Sequence, residues 1–106
     1  FYLDTLSVIG IVNINNITPD NFELSQNYPN PFNPETKIRF AIKTAAYTEL
    51  KIFDITGREV KTLVNENLKT GEYEVTFKAS NLPSGAYFYR LRAADFSETK
   101  KMIIIK

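Results

Sequence analysis

Three stretches of this chain alternate apolar and polar residues with a period of two. In TKIRFAI, Ile38, Phe40 and Ile42 share one face while Lys37 and Arg39 take the other. In EYEVTFKA, Tyr73, Val75, Phe77 and Ala79 oppose Glu72, Glu74, Thr76 and Lys78. In AYFYRLRA, Tyr87, Tyr89, Leu91 and Ala93 oppose Ala86, Phe88, Arg90 and Arg92. Successive side chains of a strand point to opposite faces, so each run is a half-buried antiparallel strand. YTELKIFDI adds Leu50 and Ile52, with Phe53 beside them signalling a bulge or twist near its end. FSETKKMIIIK closes on three isoleucines, too β-branched to favour a helix, while REVKTLV is short and ambiguous. Turn signals stand between the runs at Thr56-Gly57, Lys69-Thr70-Gly71, Pro83-Ser84-Gly85 and Ala94-Asp95. Without a sustained 3.6 period, this spacing predicts an all-β fold, an immunoglobulin-like antiparallel β-sandwich of about seven strands, with a small barrel as the alternative. A Cys…Trp…Cys pin is absent, so the likeness to immunoglobulin domains is architectural.

One segment belongs to neither ladder nor helix. QNYPNPFNPET, residues 26–36, carries Pro29, Pro31 and Pro34 within six positions. Each proline removes a backbone donor and excludes a helix interior or a central strand. The rings also push Tyr28, Asn30 and Asn33 toward extended geometry. The expected result is a stiff strap with Tyr28 and Phe32 free to dock on the end of the sandwich. It would cap the core and set the register of Thr36–Ile42, or else meet a receptor directly at little entropic cost.

The asparagine-rich NINNITPDN of residues 13–21 has turn composition. Residues 1–21 are therefore expected to be a linker or the tail of a preceding domain, with the sandwich spanning residues 22–106. Asn16-Ile17-Thr18 matches the glycosylation sequon, a short pattern with a high chance rate. The opening FYLDTLSVIGIVN has no basic n-region and contains Asp4, unlike a signal peptide, and the chain reads as the C-terminal piece of something longer. No run of about 18 apolar residues supplies a membrane-spanning segment.

Composition excludes more than it offers. The 106 residues include no Cys and no His. A Ser–His–Asp or Cys–His nucleophile cannot be assembled, and neither can a zinc or copper site of the usual kind. An enzyme is not expected, and neither is a cofactor. Residues 1–26 hold Asp4, Asp20 and Glu23 with no Lys or Arg, giving −3, whereas residues 27–106 hold 13 basic and nine acidic residues, giving +4. A surplus that small and scattered does not make a nucleic-acid face.

The order of the motifs then becomes recognisable. LSQNYPNPFNPETKIRF, DITGREVKTLV, SNLPSGAYFYRL and a final ETKKMIIIK together resemble the type IX (Por) secretion system C-terminal sorting domain, type A, over about residues 22–106. The middle of the chain also resembles the immunoglobulin-like domain of the flagellar hook capping protein. The first resemblance implies a non-catalytic secretion signal that closes proteins of Bacteroidetes-like bacteria. Such a domain follows an N-terminal cargo, is read in the periplasm by the outer-membrane type IX translocon, and is commonly removed by a sortase-like peptidase. The cargo is then released or joined to a surface lipopolysaccharide, so the implied location is secreted or cell-surface. The residues the family's motifs mark here are the strap (Tyr28, Pro29, Asn30, Pro31, Phe32, Asn33 and Pro34), Gly85 and Tyr87 of the Gly-x-Tyr, and Lys100, Lys101 and Lys106 around the last strand.

Beside the resemblance, the last strand has its own logic. Ile103–Ile105 are apolar on both faces, and an edge strand of that kind, with flanking lysines, is presentable for pairing with another chain. A rival reading is a carbohydrate- or protein-binding accessory module of a secreted enzyme. Six Tyr and eight Phe could furnish a stacking platform, although most of them alternate inward. Arg90 and Arg92 could grip carboxylates, and Asp54 and Asp95 lack the spacing of a calcium loop.

Overall fold

The alternating runs become two facing sheets. The computed structural model describes residues 11–15 and 17–106, so residues 1–10 of the expected linker and Asn16 of the sequon lie outside the described residues. The strands are β1 (Ile11–Asn15), β2 (Glu23–Leu24), β3 (Glu35–Ile42), β4 (Ala46–Phe53), β5 (Glu59–Leu68), β6 (Gly71–Lys78), β7 (Gly85–Ala93) and β8 (Phe96–Ile104). One sheet runs β1-β6-β3-β2 and the other β5-β4-β7-β8, with every pair antiparallel. The predicted sandwich is thus present. Strands β3–β8 coincide with the six runs read from the sequence; the two-residue β2, and β1 inside the stretch read as linker, bring the described strands to eight against the expected seven or so. The ladder of β1 to β6 pairs Ile11 with Val75 and Asn13 with Tyr73, then slips by one residue before Asn15 meets Glu72.

The inward phase of each run fills the space between the sheets. Ile38, Phe40 and Ile42 of β3 and Tyr73, Val75 and Phe77 of β6 face Leu50 and Ile52 of β4 and Tyr87, Tyr89 and Leu91 of β7. Met102 and Ile104 of β8 close the same core, while Ile103 and Ile105 turn outward. Phe40 stacks on Tyr73 with ring centroids 5.5 Å apart. The sequence signal at Phe53 corresponds to a real irregularity: the β4–β5 register shifts between Ile52 and Phe53, and again between Leu50 and Lys51.

DITGR closes the β4–β5 hairpin around one carboxylate. Asp54 Oδ1 accepts from the Thr56 N–H at 2.9 Å, the Thr56 hydroxyl at 2.6 Å and the Arg58 N–H at 3.0 Å, while Oδ2 takes the Arg58 Nε–H at 3.1 Å. The Thr56 hydroxyl first, with the two backbone donors and the Arg58 charge adding to it, holds the Asp54 carboxyl below its ordinary value against the opposing effect of desolvation. A depressed folded-state pKa contributes stability above the unfolded carboxylate range, and that contribution is lost as pH falls through the folded value. Asp54→Ala should therefore lower the melting temperature at neutral pH, with the gap to the parent protein closing on acidification. Thermal melts of both proteins between neutral and strongly acidic pH check this, and a gap that stayed constant would refute it.

Candidate functional site: the strap and the terminal strand

The strap and the last strand stand far apart in sequence, yet they lie side by side. β8 is the outer strand of its sheet, and outward-pointing backbone groups from Lys101 to Ile105 would otherwise be bare. Residues 26–32 run alongside and satisfy them. Gln26 Nε2 donates to the Lys101 carbonyl at 2.7 Å, and the Ile103 N–H donates to Asn30 Oδ1 at 3.0 Å. Further along, the Phe32 N–H donates to the Ile103 carbonyl at 3.1 Å and the Ile105 N–H to the Phe32 carbonyl at 2.9 Å, making a parallel bridge at Ile104. Prolines suit this position because a strap with few donors of its own can still lend isolated groups to an edge.

This arrangement corrects the expectation of a terminal strand presentable for pairing. From Lys101 to Ile105 the edge of β8 is already filled, and a natural means of guarding an edge is to cover it with a loop. The expectation that Tyr28 and Phe32 both dock holds for one of them. Phe32 is 3% exposed and meets Phe77 edge-on, with centroids 6.1 Å apart. Tyr28 is 81% exposed; its backbone exchanges hydrogen bonds with Lys37 at 2.9 and 3.0 Å, which turns the ring to solvent.

A buried polar knot anchors the strap. Asn27, 2% exposed, donates its backbone N–H to the Tyr89 hydroxyl at 2.8 Å, and that hydroxyl donates to the Ser25 carbonyl at 2.8 Å. Asn27 Nδ2 donates to the Pro29 carbonyl and to Thr36 Oγ1, both at 3.1 Å, and its Oδ1 accepts from Gln26 at 2.7 Å. The Thr36 hydroxyl donates to the Pro29 carbonyl at 2.8 Å. Burial first, with Glu98 adding to it against the Asn27 N–H, pushes the Tyr89 phenol up to about 12. Asn27, Thr36 and Tyr89 were not singled out by sequence reasoning. A signal existed, because Thr36 occupies the inward phase set by Ile38, Phe40 and Ile42, where a hydroxyl needs a partner.

The remaining marked residues fall at several places. Gly85 opens β7 at φ +149°, a conformation side chains rarely adopt. Tyr87 is buried and its hydroxyl donates to the Pro83 carbonyl at 2.9 Å, closing the turn ahead of its own strand. Lys106 is tied down, its Nζ donating to the Ser80 carbonyl at 2.7 Å and its N–H to Ser84 Oγ at 3.0 Å. Lys100 pairs with Glu98 at 3.2 Å. Lys101 is exposed and sits directly beside Gln26 of the strap. Asn33 and Pro34 are exposed, and the Pro34 carbonyl accepts the Ala79 N–H at 2.8 Å. Of the arginines, Arg90 lies 4.8 Å over the Phe53 ring and Arg92 stands opposite Glu49.

The strap and the end of β8 thus form one continuous edge of a small β-sandwich. The chain belongs to the secretion system C-terminal sorting domain family, whose pattern matches residues 26–106. No curated protein matches the chain. Membership makes the chain a type IX C-terminal sorting signal, with secretion to the cell surface or the extracellular space as its destination. No helix among the described residues is long and apolar enough to cross a membrane.

Proposed function

We propose that residues 22–106 are a transferable, non-catalytic export address, read as a folded module by the outer-membrane type IX translocon. The observation that carries this reading is the joining of strap and terminal strand into one edge bearing Tyr28 and Lys101 in the open. An N-terminal cargo precedes the module. A sortase-like peptidase then removes the module, and the cargo is released or joined to a surface lipopolysaccharide. Recognition acts on the outer face of the sealed edge instead of adding a strand to it. Phe32 then serves by holding that edge in shape, and Gly85, Tyr87 and Lys106 by holding the connection ahead of β7.

The test fuses a reporter carrying a signal peptide to residues 1–106, or to residues 22–106, in a host with the type IX system. Both fusions should be exported. Deleting Lys100–Lys106 would not separate recognition from folding, because it strips Met102 and Ile104 out of the core. Tyr28→Ala combined with Lys101→Glu touches only exposed side chains and should leave stability within about 0.5 kcal/mol. That variant should accumulate in the periplasm, folded. Equal export with and without the tag would reduce the domain to a spacer, and full export of the double variant would move recognition elsewhere.

A further inference from the structure

The sheet edges of this sandwich are not guarded alike. β2 is two residues long, β8 is covered by the strap from Lys101 onward, and β5 carries register shifts and exposed Glu59 and Lys61. Short length, cover, bulges and charge are the usual protections of an edge. β6 has a different cover: the five residues of β1, IVNIN, with neither charge nor proline. β1 lies outside the stretch that matches the sorting-domain family and is joined to β2 by a seven-residue connector.

The β6 edge is shaped for this occupant. A Cβ on Gly71 would come within 2.8 Å of Asn13 Nδ2 and 3.1 Å of the Asn15 carbonyl, so a side chain there would push both the Asn13 amide and the Asn15 backbone away. Gly71 also holds φ at +149°. Beside it, Asn15 Nδ2 donates to Glu72 Oε1 at 2.6 Å. Yet β1 contributes little to the core. Val12 is 56% exposed, only Ile11 packs against the core cluster, and the ladder slips before its last pair. A strand held by a few hydrogen bonds and one side chain packed on the core is the kind of element that opens locally, well below the free energy of global unfolding.

We infer that the outer edge of β6 is a strand-accepting site, with Gly71 as its positioning residue, and that the Ile11–Asn15 segment of a second copy of this chain can take it. The connector, fully extended, reaches about 23 Å at about 3.3 Å per residue, enough to carry β1 to a neighbouring molecule. Exchange costs no new contact, since the same ladder forms in trans, and this is what makes strand swapping accessible. The inference is independent of the export reading, because neither β1 nor the β6 edge includes a residue assigned to recognition.

Because the chain contains no cysteine, engineered thiols report the exchange directly. Val12 stands opposite Glu74, and directly opposed residues of an antiparallel pair lie about 4.5–5.5 Å apart at Cα, within disulfide range. In the full chain, the Val12→Cys, Glu74→Cys double variant should form an intramolecular bridge under mild oxidation at low concentration. Its failure to do so would remove β1 from the β6 edge and end the proposal. The decisive measurement mixes the Val12→Cys and Glu74→Cys single variants at high concentration and oxidises. Exchange predicts that the mixed dimer, one chain of each variant, outnumbers both symmetric dimers together. Mixed and symmetric dimers in random proportion, or no crosslinking, would overturn exchange. Gly71→Val in the double variant should reduce the intramolecular yield with the circular dichroism of the sandwich retained; an unchanged yield would remove Gly71 as the positioning residue.

Discussion

Replacing Phe32 with alanine should cost about 3–5 kcal/mol of folding stability, the range for emptying a buried aromatic site. Against the roughly 5–15 kcal/mol that holds a domain of this size together, such a loss is large. Phe32 is the apolar side chain by which the strap enters the core, set edge-on to Phe77. The same residue lends the N–H and carbonyl that bridge Ile103 and Ile105. Its loss therefore has a second consequence. A loosened strap uncovers the outer edge of β8, with Ile103 and Ile105 turned outward beside it, and an open edge is a template for intermolecular pairing. Urea unfolding should give a lower midpoint, and light scattering at high protein concentration should show association absent from the parent. Tyr28→Ala, four residues earlier on the same strap, should change neither. A Phe32→Ala loss below about 1 kcal/mol would mean that the strap merely leans on the sandwich.

The contrast between Tyr28 and Phe32 marks where sequence reasoning stops. Both are aromatics between prolines, and local chemistry treats them alike. Which one turns inward is decided by the backbone of Lys37 on one side and that of Ile103 and Ile105 on the other, partners 9 and more than 70 residues away. The regular strands pose no such problem. A period of two needs no distant partner to be read, and the inward residues of β3, β6 and β7 are those the alternation indicates. β5 is ambiguous in sequence because it lies at an edge and is bulged. Its buried Val64 and Leu68 are four residues apart, a spacing shared by strands and helices. β1 is hidden for a related reason. Its composition favours turns, and only the unoccupied flank of β6, with Gly71 beneath Asn13 and Asn15, draws it into a ladder.

The family's motifs also divide along physical lines in the folded chain. Gly85, Tyr87 and Lys106 secure the Ala79–Gly85 connection, through a positive φ, a hydroxyl on the Pro83 carbonyl and an ammonium on the Ser80 carbonyl. Asn30 and Phe32, set between the prolines, secure the edge of β8. Residues recognisable from sequence thus include many that preserve a shape, and the exposed Tyr28 and Lys101 are what that shape presents. A variant scan that scored export alone would confuse the two groups. Scoring export and stability together separates them.

Alkaline unfolding should single out the knot beneath the strap. Tyr89 is fully buried, its hydroxyl accepting from the Asn27 N–H and donating to the Ser25 carbonyl. Burial raises its folded-state pKa to about 12, whereas a phenol in the unfolded chain titrates near about 10. The unfolded chain therefore releases this proton first, so stability falls as pH rises between the two values. Tyr89 contributes fully below about pH 10, and at about 1.36 kcal/mol per unit its contribution drops by about 2–3 kcal/mol on approaching pH 12. Tyr89→Phe leaves the Asn27 N–H and the Ser25 carbonyl without their partner, at about 1–3 kcal/mol near neutral pH. The variant has no phenol at this position to titrate, while the other tyrosines and the lysines are common to both proteins. Denaturation curves taken from pH 7 to pH 12 should show the parent the more stable at first, with the gap narrowing only above about pH 10. Parallel curves over that interval would mean that the Tyr89 phenol ionises as freely in the fold as outside it, and the strap would have to be anchored by Asn27 and Thr36 alone.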